Sequence, residues 1–281
     1  MIAKGEKKPR ILALDLDETL LRSNLSISAR TKAAIKLAVD MGTTIVLVSG
    51  RVLLSVEPYS KLLGLHKRPA YLVTNYGALI QESNSEKIVH EALLDRQTVM
   101  AVCDLADAEN FPMTMYDGNI MYVSRDNKYT SREQDLTGVR QVVVENFRAM
   151  VGDGCYKLII PGDPKILAYL KTIIGSIFGD KISLSFSRPY YLELMAEGTD
   201  KCSALAKVAE ILGVSAEETM AIGDSMNDET MIRWAGIGVA MANADERLKS
   251  IADLVTEHSN DEDGVAELIE NYFSGKENAG E

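Results

Sequence analysis

The spacing of apolar and polar positions divides the chain into three stretches. Near the N-terminus, the apolar runs "ILALDL", "TTIVLVSG" and "AYLVTNYGALI" alternate with "SARTKAAIKLAVDMG" and "SVEPYSKLLG", whose apolar positions recur at helical spacing. Runs that are apolar throughout, rather than at every second position, belong to strands buried on both faces. The pattern therefore predicts a parallel sheet covered by helices on both sides, with "AYLVTNYGALI" as one of its strands. Ser28 is the expected N-cap of the first helix and Gly42 its stop.

The texture changes over residues 84–189. A helical segment "DRQTVMAVCDLADAEN" is followed by "PMTMYDG" and "IMYVSR", joined by an Asp-Gly turn signal, then by the strand-like "CYKLIIPG" and the helical "DPKILAYLKTIIGSI". Short strands around an Asp-Gly turn predict antiparallel pairing, so this stretch reads as an inserted α+β unit. Its Met and Tyr stripe reads as core packing. Parallel-sheet character returns with "DKCSALAKVAEILGV", "TMAIGDS", "NDETMIRWAG", "IGVAMANA", "DERLKSIA" and "DLVTE", and the tail "SGKENAGE" reads as frayed.

Composition narrows the function classes. The 281 residues are 46% hydrophobic, enough for a large core, and 30 basic against 41 acidic residues leave a net charge of −11. Without a basic cluster, that charge repels a nucleic-acid backbone. Cys103, Cys155 and Cys202 lack metal or redox spacing and read as small core residues. The charged start "MIAKGEKKPR" precedes an apolar run too short for a signal core, and no segment reaches ~18 uninterrupted apolar residues. The expectation is a cytoplasmic protein with no membrane or nucleic-acid partner.

Chemistry concentrates where apolar runs end. Asp15 and Asp17 close "ILALDLD", Ser49 and Gly50 close "TTIVLVSG", Lys201 opens a helix, and Asp224, Asn227 and Asp228 follow "TMAIG". In a parallel α/β sheet, ligands bind beyond the carboxyl ends of the strands, so these residues converge on one rim. Two carboxylates ~4 Å apart repel by roughly 4 kcal/mol at an effective dielectric near 20, so the cluster requires a cation or a proton. Oxygen donors without thiolate or imidazole select a hard divalent ion such as Mg²⁺. Lys201 and the backbone N–H groups near Ser49 and Gly50 can then hold an anion. Together these groups describe a phosphoryl site, where a carboxylate nucleophile splits the transfer into two steps. Asp17 stands where a proton donor to the leaving oxygen is needed.

"DLDETL", "VSGR", a lysine opening a helix and "GDSMNDE" resemble the four ordered motifs of the haloacid dehalogenase superfamily. The insertion between the second and third motifs, and "GIGVAMANA…ADLVTEHSNDEDGVAELI", resemble its Cof-type subgroup. This resemblance implies an α/β fold: a doubly wound, mostly parallel Rossmann-like core sheet over 1–83 and 190–281, and an inserted α+β cap domain over 84–189. It implies that Asp15 is nucleophile and magnesium ligand, that Asp17 is general acid/base and binds the metal through its carbonyl, and that Asp224 is the third ligand. It assigns phosphate binding to the Leu16 backbone, Ser49, Gly50, Lys201 and Asn227, with Asp228 in support. The implied activity is hydrolysis of small phosphorylated metabolites, sugar phosphates above all, by a monomer or weak homodimer. Glu18 departs from the commoner glycine, and "NYGA" reverses the frequent Tyr-Asn-Gly-Ala order, so Asn75 receives no role.

Other readings fit less well. Read as a calcium loop, "DLDET" places Leu20 at the required glycine and Ser26 at the bidentate glutamate. "GIGVAMA" lacks the third glycine of a dinucleotide fingerprint, and no G-x-S-x-G accompanies His66, His90 and His258. A dehalogenase needs neither the metal nor Asp17. A phosphosugar mutase of the same fold and a non-catalytic module that binds phosphorylated ligands stay open.

Overall fold

The computed structural model describes residues 8–130 and 139–273, so the tail expected to fray lies outside the described residues. The first sheet has eight strands in the order β16-β15-β14-β1-β2-β3-β4-β5. Its members are β1 (Ile11–Asp15), β2 (Thr44–Val48), β3 (Ala70–Thr74), β4 (Leu79–Glu82), β5 (Ile88–Glu91), β14 (Thr219–Gly223), β15 (Ile237–Ala240) and β16 (Leu254–Val255). Every residue of β1, β3 and β14 is buried, so both faces are covered, as unbroken apolar runs require. Helices α1 (Ala29–Asp40), α2 (Leu53–Leu62), α5 (Lys201–Leu212), α6 (Glu229–Trp234) and α8 (Gly264–Phe273) supply the cover, while α7 (Glu246–Lys249) is one short turn. The Ser28 hydroxyl accepts the Thr31 amide at 2.9 Å, and Gly42 follows α1 at φ +91°.

Parallel pairing runs from β16 through β3. The chain leaves β1 for β2 and β3 on one side and returns through β14 to β16 on the other. Crossovers therefore diverge beside β1, and the crevice they open is where this sheet type binds ligands. One expectation is corrected: "AYLVTNYGALI" is two antiparallel strands, β3 and β4, and not one. Asn75, Tyr76 and Gly77 all have positive φ, which reverses the chain inside an apolar run that carries no proline.

The second sheet has six strands in the order β12-β13-β11-β7-β8-β9: β7 (Thr114–Asp117), β8 (Ile120–Val123), β9 (Arg140–Val143), β11 (Leu158–Pro161), β12 (Ile182–Arg188) and β13 (Tyr191–Ala196). Pairing is antiparallel except for the parallel β8–β9 pair, and Gly118 and Asn119 form the two-residue turn between β7 and β8. A ribbon of β6 (Leu94–Asp95) and β10 (Gly154–Cys155) stands beside it. α3 (Arg96–Ala108) and α4 (Pro164–Phe178) bury Val99, Val102, Leu167 and Leu170 against Met115, Leu158, Leu192 and Leu194. Residues one step away in each strand necessarily face the opposite side. That opposite side carries Tyr116, Lys157, Tyr191 and Glu193 and is turned toward the first sheet. Met115 and Met121 are core residues as expected, whereas Tyr116 lines a cavity. β5 pairs in the first sheet although it lies beyond residue 83, and β13 pairs in the second although it lies beyond residue 189. Each is the second strand of a hairpin, and a hairpin turn looks the same in sequence whether or not the chain changes sheet.

After β1 the chain turns tightly over Leu16–Leu20, with Glu18 at φ +56°. This is the place of the commoner glycine, and a side chain there costs about 1–2 kcal/mol. Glycine loses more freedom on folding, which offsets part of any gain. We expect Glu18→Gly to leave stability unchanged or up to about 1 kcal/mol higher, because Asn243 binds the Glu18 carbonyl, which glycine keeps, and the carboxylate accepts a long 3.4 Å bond from the Asn260 side chain. Urea denaturation measures this; a loss beyond ~1 kcal/mol would contradict it.

Candidate active site

Asp15 ends β1, Ser49 follows β2 and Asp224 follows β14, so three adjacent parallel strands deliver their polar residues to one rim. Lys201 opens α5, whose N-cap Asp200 and Ser203 form a reciprocal capping box that holds the first turn in place. Asp15, Ser49, Lys201, Asp224 and Asp228 are buried: Lys201 is 1% exposed, Asp228 0% and Asp15 5%.

The Lys201 ammonium donates to Asp15 Oδ1 at 2.6 Å and to Asp228 Oδ1 at 2.5 Å, and it reaches Asn227 Oδ1 at 3.5 Å. Asp228 Oδ2 accepts the backbone N–H groups of Asp224 and Ser225 at 3.0 and 3.1 Å, so both its oxygens are engaged. The Asp224 carboxylate accepts the hydroxyls of Thr19 at 3.0 Å and Ser225 at 2.8 Å. Gly223 is required here, since a Cβ on it would stand 2.5 Å from the Asp228 carboxyl carbon.

The electrostatics follow from burial. Desolvation and the Asp228 charge push Asp15 well above the usual carboxylate range, against the pull of Lys201. The same two causes raise Asp224 to about 6. Burial alone would lower the Lys201 ammonium, but Asp15 and Asp228 outweigh it and hold the group above its ordinary value. Asp15, Asp224 and Asp228 each offer an oxygen within 4.8 Å of the others, so one lysine faces three buried carboxylates. This surplus of negative charge and its all-oxygen donor set fit a hard divalent cation. A second cluster, Glu257, His258 and Glu267, lies at the surface, where His258 already bonds Glu267 at 2.7 Å.

Ser49, Gly50, Asp17 and Asn227 line the same cavity, of about 120 Å³; the Leu16 side chain is buried in the core instead. The Ser49 hydroxyl accepts the Arg51 amide at 3.1 Å. Asp17 is bonded by a different cation, although the Lys201 charge also reaches it. Its carboxylate is gripped by Arg51, at 2.8 Å from Nε and 2.5 Å from a terminal nitrogen. Burial raises Asp17, yet the hydrogen bonds and charge of Arg51 outweigh it and leave the carboxyl below its ordinary value.

Several lining residues carried no role from the sequence. Arg51 directly follows the "SG" pair, so its place was in view while its partner was not. Tyr76 covers Gly50 so closely that a Cβ there would come within 2.5 Å of the ring, which explains the glycine and places a phenol beside the Ser49–Gly50 turn. Thr19 lies within "DLDETL", where the acids are the conspicuous residues, and its hydroxyl bonds Asp224. Lys157, Arg188 and Glu193 come from the second sheet, and the signal that could have found two of them is a single charge inside each of the runs "CYKLII" and "YLELM".

The sequence model of the family described as haloacid dehalogenase-like hydrolase matches residues 12–269. A haloacid dehalogenase-like hydrolase of known structure from Bacteroides thetaiotaomicron is 32% identical, with a TM-score of 0.87 over 95% of this chain and 100% of that one. In Bacillus subtilis, the 5-amino-6-(5-phospho-D-ribitylamino)uracil phosphatase YcsE is 30% identical over 94% of this chain and 95% of its own length. Phosphatase YwpJ of the same organism is 27% identical over 94% of this chain and 100% of its own. These matches run through all four motifs and the insertion between them, and the chain belongs to the haloacid dehalogenase-like hydrolase family.

Proposed function

We propose that the protein is a magnesium-dependent phosphatase that hydrolyses small phosphorylated metabolites, sugar phosphates among them, through an aspartyl-phosphate at Asp15. The observation that carries this reading is the buried meeting of Asp15, Lys201, Asp224 and Asp228 at the switch point of the sheet. Phosphatase relatives support it, and YcsE by its name acts on a ribityl phosphate. Asp15, the Asp17 carbonyl and Asp224 would hold Mg²⁺, which when bound offsets charge on the phosphoryl oxygens.

An Asp15 oxygen attacks phosphorus while the ester P–O bond breaks, and water then hydrolyses the acyl phosphate. Lys201, Ser49, Asn227 and the backbone of Leu16 and Gly50 bind the transferring group. Asp17, kept ionised by Arg51, is ready to take a proton from that water; to protonate the leaving oxygen it must first leave Arg51 and gain a proton. In this reading the eight-stranded sheet and its helices are the catalytic core, and the insertion is a cap that excludes water and selects the leaving group.

Screening phosphorylated metabolites for phosphate release, with magnesium and with EDTA, tests the proposal; release that persists in EDTA would remove the metal from it. Stability supplies a second check. Asp224 is raised from 3.8 to about 6, so without metal its contribution to stability is fully present below 3.8 and lost as pH rises through about 6. Magnesium competes with protons for the same oxygens. We expect it to raise Tm more at about pH 7.5 than at about pH 5, and an equal rise at both would contradict this.

A further inference from the structure

The β12–β13 hairpin of the second sheet aims one arginine into the cavity. Phe186 pairs with Leu192 and Arg188 with Tyr191, so Ser187 is an extra residue in β12. In an unbroken strand Arg188 would fall on the Phe186 face, which packs against the helices of that sheet. The bulge brings it round beside Ser187, and both line the cavity with Tyr191. Pro189 confines Arg188 to extended backbone. The Tyr190 ring stacks on Tyr129 with centroids 5.6 Å apart, and the Tyr191 hydroxyl donates to the Tyr129 carbonyl at 2.7 Å, which braces the turn.

Four cations line the cavity: Arg51, Lys157, Arg188 and Lys201. Arg51 holds Asp17, Lys157 holds Glu193, and Lys201 holds Asp15 and Asp228. Arg188, half-buried, has no ion pair or side-chain hydrogen bond among the described residues. Its charge reaches Asp17, which in the reading above faces the leaving oxygen.

We propose that Arg188 binds a second anionic group, a carboxylate or a further phosphate, on the leaving group, so that esters carrying such a group are preferred. The inference rests on the phosphatase reading and names the chemistry that the second sheet selects. A guanidinium presents a planar fork of N–H donors that matches two oxygens of a carboxylate or phosphate. Asp17 already has both oxygens engaged by Arg51. In the same reading the transferring phosphoryl group is met by Lys201 from the first sheet, whereas Arg188 approaches from the second. An anion on the leaving group gains a charge-assisted pair in a cavity where solvent screens it weakly, and a neutral polyol does not.

Two matched pairs of esters and the variant Arg188→Met make the test. With magnesium present, kcat/KM is measured for 6-phosphogluconate against sorbitol 6-phosphate, and for fructose 1,6-bisphosphate against fructose 6-phosphate; Tm confirms folding. The wild-type protein should prefer the more anionic member of at least one pair, the first pair reporting a carboxylate and the second a phosphate. In Arg188→Met the ratio of kcat/KM within that pair should fall about 10- to 100-fold, mainly through KM. Arg188→Lys should restore part of it, since the charge returns without the fork. A wild-type preference below about threefold in both pairs would overturn the assignment. So would a ratio that survives Arg188→Met within about threefold, including an equal loss on both members, which would place Arg188 on Asp17 or the phosphoryl group instead. If the wild-type protein releases phosphate from none of these esters, nor from p-nitrophenyl phosphate, the phosphatase reading fails and takes this inference with it; release without the anionic preference removes Arg188 alone.

Discussion

Asp15→Asn is expected to lower phosphate release by at least about 10³-fold while leaving the protein folded. An amide of the same shape keeps the Lys201 hydrogen bond through its oxygen but cannot attack phosphorus to form an acyl phosphate. Folding should survive because the charge removed is one that the fold penalises. Burial and Asp228 already hold Asp15 well above the carboxylate range, and Lys201 retains Asp228 as a partner. In EDTA the variant's Tm should therefore equal or exceed that of the wild type. Steady-state turnover above about a tenth of wild type would remove Asp15 from the nucleophile role.

Lys201→Met should be the most destabilising single change at the site, about 3–5 kcal/mol near pH 8 in EDTA. Methionine fills much the same volume, so the loss reports charge and not packing. Without the ammonium, Asp15 and Asp228 lose the cation that touches both, and Asp224 stands within the same cluster. The cost should shrink as pH falls toward about 5, because carboxyl groups raised by burial take up protons there. Magnesium should restore part of it by supplying positive charge to the same oxygens. A loss below ~1 kcal/mol by urea denaturation would mean that the carboxylates are compensated in some other way.

The contrast between these two substitutions shows what sequence could and could not reveal. Asp15, Lys201 and Asp224 were legible because each ends or opens an apolar element, and one rule, that ligands gather at the carboxyl ends of parallel strands, brings them together. The grip of Arg51 on Asp17 was not legible, since it depends on side-chain direction within a turn and not on spacing. Tyr76 was hidden by the reversal inside "AYLVTNYGALI", where three positive-φ residues turn the chain without the usual proline signal. Lys157 and Glu193 lie 36 residues apart and meet only because Ile159 pairs with Glu193 across β11 and β13. Strand register is a tertiary property, so lone charges in two apolar runs could be noticed but not joined. Glu18 marks the opposite case: the departure from glycine was plain in sequence, and its meaning, a left-handed turn after β1, needed the backbone.

The most direct measurement of the central claim is a crystal structure grown with magnesium and beryllium trifluoride, a mimic of a phosphorylated carboxylate. The account predicts beryllium bonded to an Asp15 carboxylate oxygen, Lys201 against its fluorides, and one metal ion shared by Asp15, the Asp17 carbonyl and Asp224. Beryllium on another residue, or Asp15 and Asp224 turned apart with no ion between them, would contradict it.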